Sequence, residues 1–174
     1  MIPLNNNLMG LRRSQIRVFT NLARQTPDCA MLTIGEPDFD TPEAIKAAAV
    51  DALHQGMTHY SANQGTPQLR QAIADFETAR GNTVTAEQVL VTVGACQALF
   101  TAFLGILNPG EEVIVPVPAF GLYESLCIIA GAKLVPLDIS KTNFQIDADA
   151  LNALITPKTK AILLNSPTIP PVRC

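Results

Sequence analysis

The stretch best able to do chemistry is Val-Thr-Val-Gly-Ala-Cys-Gln-Ala-Leu, residues 91–99. A β-branched run ends, a glycine permits a tight turn, and a helix-forming sequence begins. The first amides of a helix have no intrahelical carbonyl to bond, and the helix dipole adds partial positive charge there. Such a turn suits a phosphate group. Taken alone, the signal is unspecific, because any strand–glycine–helix junction looks similar. A dinucleotide site needs Gly-x-Gly-x-x-Gly at this place. Residues 94–99 read GACQAL, which argues against a nucleotide-binding module. The other reactive residues form no site by spacing. Cys29, Cys96, Cys127 and Cys174 are scattered without metal-ligand spacing and read as reduced cytosolic thiols. His54 and His59 have no neighbour of catalytic type and read as surface or helix-end residues.

The elements around this turn follow from periodicity and punctuation. The first ~30 residues read as an arm with one helix, from about Ser14 to Gln25. Residues 31–34 are a short apolar stretch, and 35–40 a turn-rich loop. Thr41 before Pro42 predicts a helix start, with Ile45, Ala48, Ala49, Ala52 and Leu53 on one face and Gly56 as the stop. The same punctuation at Thr66-Pro67 opens a helix that carries Leu69, Ala72, Ile73 and Phe76 inward and ends at Gly81. Residues 89–93, VLVTV, predict a strand covered on both faces. A helix from about Ala95 to Leu107 follows, with Leu99, Ala102, Phe103 and Ile106 as its stripe. Strands at 112–116 and 133–137 flank a helix from about Phe120 to Ala130. Asp147 caps a helix through Ile155, and a strand at 161–165 follows. Strands alternating with helices predict an α/β layer with a largely parallel sheet.

Composition narrows the function classes. A chain of 174 residues, 48% hydrophobic and 16% charged, is enough for a sizeable core and about one domain. Net charge is −3 with no basic run, so neither nucleic acid nor an anionic membrane is an expected partner. No apolar run approaches the ~20 residues of a membrane span. The amino terminus lacks the apolar core of a secretory signal, and a cytoplasmic location is expected.

Five segments stand in order: IGEPDFDTP (34–42), HYSANQGTPQLR (59–70), VTVGACQAL (91–99), NPGEEVIVPVPAFGLY (108–123) and TKAILLNSP (159–167). Together they resemble the class I/II aminotransferases, the fold-type I pyridoxal-phosphate enzymes, from about Ser14 to Pro167. The resemblance implies a three-layer α/β/α large domain with a mostly parallel sheet, incomplete at its carboxyl end. Residues 1–40 would be the arm and substrate-side segment, and 41–174 the partial cofactor-binding domain. It implies transfer of an amino group from an amino acid to a 2-oxo acid, in a homodimer with shared sites. Gly94, Ala95 and Cys96 match the turn that holds the cofactor phosphate. Members often carry a hydroxyl or lysine where this chain has alanine or cysteine, so main-chain amides would carry more of the contact. Phe120 matches the aromatic that stacks on the pyridine ring, Tyr60 the tyrosine that reaches the neighbouring subunit's phosphate, and Ile34 and Gly35 the segment that closes on substrate. The bland alternatives are a small buried residue at Cys96, ordinary helix packing for Phe120 and a surface-loop tyrosine at Tyr60. Arg70 reads as a structural ion-pair residue rather than a catalytic one.

The family's cofactor-bonding lysine, pyridinium-partner aspartate and carboxylate-clamping arginine fall beyond the last shared motif. Lys46, Lys133, Lys141, Lys158 and Lys160 lie outside the lysine motif and read as surface residues. No catalytic residue is therefore assigned, and the chain alone is not expected to turn over. The family pattern Asn-Ser-Pro-x-Asn-Pro-Thr-Gly also breaks here: Ile169 stands where an asparagine bonds the ring 3′-oxygen. Asn-Pro-Thr-Gly-Ala-Val, written AAT CCC ACC GGT GCG GTG and followed by C, loses one A and becomes ATC CCA CCG GTG CGG TGC. That encodes Ile-Pro-Pro-Val-Arg-Cys, the last six residues of the chain. The tail is thus expected to be a frameshifted copy of the motif. A strand at 161–165 without further neighbours is expected to leave an exposed edge, marginal stability and a tendency to aggregate. The alternatives are a non-catalytic remnant that binds phosphate or pairs with an intact copy, and a related pyridoxal-phosphate C–S lyase. The shared motifs do not choose the amino donor.

Overall fold

The computed structural model describes residues 2–3, 5–11 and 14–166. Ile169 and the tail expected to be frameshifted lie at 167–174, outside the described residues. The chain divides into two units, one of Ile16–Val93 and one that joins the residues up to Gln15 to those from Gly94 onward.

The first of these carries three helices. Helix α1, Gln15–Gln25, matches its expected span. Its Thr20 is the buried polar residue: the hydroxyl lies 2.7 Å from the Ile16 carbonyl and 2.8 Å from the Thr33 hydroxyl. Helix α2 runs Glu43–His54, with Pro42 rather than Thr41 at the cap position and no side-chain cap bond. Helix α3, Pro67–Ala79, is capped as expected, the Thr66 hydroxyl accepting from the Leu69 amide at 3.4 Å. The apolar stripes are present but largely uncovered: on α2, Ile45 and Leu53 are 59% and 63% exposed, and on α3 the buried residue is Ala74 while Leu69 and Phe76 are exposed. An amphipathic pattern specifies which face a second layer would cover. It does not supply the layer.

The expected strand at 89–93 is not one. Residues 86–88 form a 3-10 turn, Val89 is extended, and the segment joins none of the ladders among the described residues. Its Val91 amide bonds a loop carbonyl, that of Gln64, at 3.0 Å. Val93 is 88% exposed rather than covered on both faces. β-branched residues favour extended backbone, but a strand also needs a neighbour. None of the three strands among the described residues pairs with this segment.

The second unit is the α/β layer. Strands β1 (Glu112–Val117), β2 (Lys133–Asp138) and β3 (Thr159–Ile162) are all parallel, in the order β2-β1-β3. The central strand is the most apolar, and Val113, Ile114 and Val115 are 0–1% exposed. Its alternation feeds two cores. Val113 and Val115 join Phe103, Tyr123, Leu126 and Cys127 from helices α4 (Gly94–Ile106) and α5 (Leu122–Ile129). Ile114 joins Leu137 and Ile139, with Leu151 and Leu154 of helix α6 (Ala148–Leu154) packed against them. Helices on both faces give three layers. Asp147 caps α6 as expected, its carboxylate accepting from the Asp149 and Ala150 amides at 2.8 and 3.1 Å. Helix α5 starts two residues later than expected, so Phe120 lies in the loop before it. The amino ends of the strands are stitched by Lys133–Glu112 at 3.8 Å and Lys160–Glu111 at 3.7 Å. Exposed pairs of this kind contribute little stability.

Candidate functional site

Ligands of open α/β sheets sit beyond the carboxyl ends of the strands. In the sheet unit, the loop after β1 carries Phe120, and the turn that opens α4 carries Gly94, Ala95 and Cys96. Gly94 has φ +75°, a backbone conformation that glycine adopts without steric cost. A Cβ built there would meet nothing within 4 Å, so the space beside this backbone is open. Gly94, Ala95 and Cys96 are all exposed, and the first turn of this 13-residue helix holds no acidic residue. The exposure of Cys96 sets aside the alternative that it fills a small space in the core.

Phe120 is half-buried and meets Tyr123 edge to face, with ring centroids 6.0 Å apart and planes at 87°. It packs on the same core cluster as Leu99, the residue one turn and more into α4. The core thus holds helix α4 and Phe120 in one unit. Phe120 also lines a cavity of about 500 Å³ with Val117, Gly121, Glu124 and Lys133. Cys127 also lines it, and burial, aided by the Glu124 charge, pushes the thiol up to about 11.

Ile34, Gly35 and Tyr60 belong to the other unit. Tyr60 is fully exposed in the loop between α2 and α3, and Ile34 and Gly35 are exposed in the loop between α1 and α2. Arg70 is structural, as expected, but not through an ion pair. Its Nε donates to the Val89 carbonyl at 3.0 Å and its Nη2 to the Ala86 carbonyl, and among the described residues no carboxylate stands within ion-pair distance. Sequence reasoning missed a second residue of the same segment. Gly65 has φ +102°, and a Cβ there would stand 2.5 Å from Val91 Cγ2. The available signal was Gly65 itself, between Gln64 and the helix-opening Thr66-Pro67.

The lysines match their surface reading: Lys46 pairs with Glu43, Lys133 with Glu112 and Lys160 with Glu111. His54 ends α2 and His59 is exposed. Among the described residues, no group of three or more His, Cys, Asp or Glu side chains could hold a metal, and no helix is long and apolar enough to cross a membrane.

A family model for aminotransferase class I and II matches residues 27–170. The chain belongs to the class I and II aminotransferase family. Members of the family depend on pyridoxal phosphate. The chain is 46% identical over 151 residues to an aspartate/prephenate aminotransferase of Thermus thermophilus, covering 86% of this chain and 39% of that one. It is 45% identical over 148 residues to an arginine–pyruvate transaminase of Pseudomonas aeruginosa, covering 84% of this chain and 38% of the relative. A solved aspartate aminotransferase of Thermus thermophilus with maleate superposes with a TM-score of 0.89 at 41% identity, covering 97% of this chain and 46% of that one. The aminotransferase fold is therefore matched over nearly the whole chain, which spans less than half the length of these relatives.

Proposed function

We propose that the chain supplies the cofactor-phosphate side of a pyridoxal-phosphate aminotransferase, which moves an amino group from an amino acid to a 2-oxo acid. When bound, the cofactor supplies an electron sink for the substrate's Cα. The main-chain amides of Gly94, Ala95 and Cys96 hold its phosphate. With no hydroxyl or lysine at 95 and a thiol at 96, those amides carry most of the contact. Phe120 covers one face of the ring and excludes water there. Tyr60, on a fully exposed loop, reaches the phosphate of the neighbouring protomer in a homodimer. Ile34 and Gly35 lie along the substrate, where a glycine lets main chain approach closely. In this reading residues 1–40 are the arm and substrate side, and 41–174 the cofactor-binding domain.

The observation that supports it most is Gly94: a left-handed glycine at an exposed helix start, with open space where a side chain would stand and no acidic residue in the helix's own first turn. No lysine is given a catalytic role, and the three in ion pairs are held at the surface. The chain's own part is binding rather than proton transfer. The relatives' names point to different amino donors, so the proposal stops at an amino acid. A cytoplasmic location goes with free thiols at Cys29, Cys96 and Cys127.

Equilibrium dialysis tests this with pyridoxine 5′-phosphate and pyridoxine, which lack the aldehyde and do not bond surface lysines. A phosphate held by main-chain amides predicts retention of the phosphorylated ligand by about tenfold or more over the other. Equal retention overturns the proposal.

A further inference from the structure

The segment Asn-Gln-Gly-Thr-Pro-Gln-Leu-Arg, residues 63–70, grips the backbone that leads into the Gly94 turn at three points. The Gln64 carbonyl accepts the Val91 amide at 3.0 Å. Gly65 leaves room for the Val91 side chain, which any Cβ at position 65 would strike at 2.5 and 2.8 Å. Arg70 spans the 3-10 turn and its exit, bonding the carbonyls of Ala86 and Val89. A guanidinium offers several donors in a fixed plane, so one side chain can hold two carbonyls three residues apart. Arg70 is half-buried, and the bonds found for its side chain go to main chain.

We propose that Arg70 is a positioning residue for the phosphate turn, a reading that rests on the cofactor proposal above. Val91 is three residues before Gly94, so holding residues 86–91 fixes the path by which the chain enters the turn. None of the sheet ladders among the described residues includes 89–93, and residues 64–70 bond Ala86, Val89 and Val91 instead. The same short segment follows Tyr60 by four residues.

The test uses the full chain with Arg70→Met, which keeps the aliphatic stem and removes the donors, and with Arg70→Lys. Each is dialysed against pyridoxine 5′-phosphate and against pyridoxine. Arg70→Met is expected to lower the ratio of the two affinities by about tenfold, with pyridoxine retention unchanged. Arg70→Lys, a point charge that cannot bridge both carbonyls, is expected to recover only part. An unchanged ratio, or equal weakening of both ligands, overturns the proposal and leaves Arg70 a stabilising residue only. A wild-type chain with no preference for the phosphorylated ligand overturns the cofactor reading and this proposal with it. Should Arg70→Met not fold, hydrogen exchange on the wild-type chain decides. The Val91 amide is expected to slow further with pyridoxine 5′-phosphate and not with pyridoxine, and no difference between the two overturns the proposal.

Discussion

Replacing Gly65 by alanine isolates the close approach on which the 63–70 segment depends. Two costs add. An L-residue in left-handed backbone costs about 1–2 kcal/mol, offset by about 0.4–1 kcal/mol of freedom lost from the unfolded chain. Gly56→Ala reports this backbone part alone, because Gly56 has φ +72° and nothing within 4 Å of a Cβ. At Gly65 the Cβ also meets Val91 Cγ2 at 2.5 Å and Val91 Cβ at 2.8 Å. Valine is stiff at χ1, and the Val91 amide is held by Gln64, so the neighbour has little room to turn away. Forcing atoms into such a contact costs about 1–3 kcal/mol. Gly65→Ala should therefore be less stable than Gly56→Ala by about 1–3 kcal/mol, or about 3–10 °C in Tm for a chain of this size. Urea and thermal unfolding followed by circular dichroism measure the difference. Adding Val91→Ala removes the 2.5 Å contact but leaves the one at 2.8 Å, so only part of the loss should return. Equal stability of the two glycine variants would refute the reasoning.

Leu126→Ala, at a position 2% exposed in the core between α4, α5 and β1, should cost about 2–5 kcal/mol in urea unfolding, whereas Ile45→Ala on the uncovered face of α2 should stay within about 0.5 kcal/mol. Iodoacetamide at neutral pH should modify Cys29 and Cys96 and spare Cys127 until the chain unfolds, as read by peptide mass. Because burial raises the Cys127 thiol from 9.0 to about 11, its contribution to stability is complete below 9.0 and declines as pH rises toward about 11, which thermal melts across that range will show. On the acid side, the Asn108 amide, 2.7 Å away, and more weakly Lys160 hold Glu111 below its ordinary 4.5. A lowered carboxylate stabilises above its ordinary value and loses that effect as pH falls through the folded one. Glu111→Gln should accordingly flatten the Tm decline below pH 4.5, and an unchanged acid limb would count against the bond.

The legible parts of the fold were those written in local chemistry. Thr66 and Asp147 bond the amides that their types and places predict. The Val-Ile-Val centre of β1, the parallel order and the helices between strands follow from apolar runs alternating with helical stripes. What was not legible depends on partners distant in sequence. Residues 89–93 carry every mark of a buried strand yet join none of the ladders among the described residues, since β propensity does not show whether a neighbour exists. The stripes of α2 and α3 name a face without naming its cover. Arg70 looked like an ion-pair residue because its type suggests charge, while its partners, Ala86 and Val89, offer only carbonyls. At the site, Gly94 was legible because its backbone needs glycine. Gly65 was not, because its need arises from Val91, 26 positions away.

The most direct test of the central claim is a ¹H–¹⁵N NMR titration of the whole chain with pyridoxine 5′-phosphate, and with pyridoxine as the control. If the start of α4 holds the phosphate, the amides of Gly94, Ala95 and Cys96 shift with the phosphorylated ligand and stay in place with pyridoxine. Shifts confined to other residues, or equal shifts with both ligands, would contradict the account.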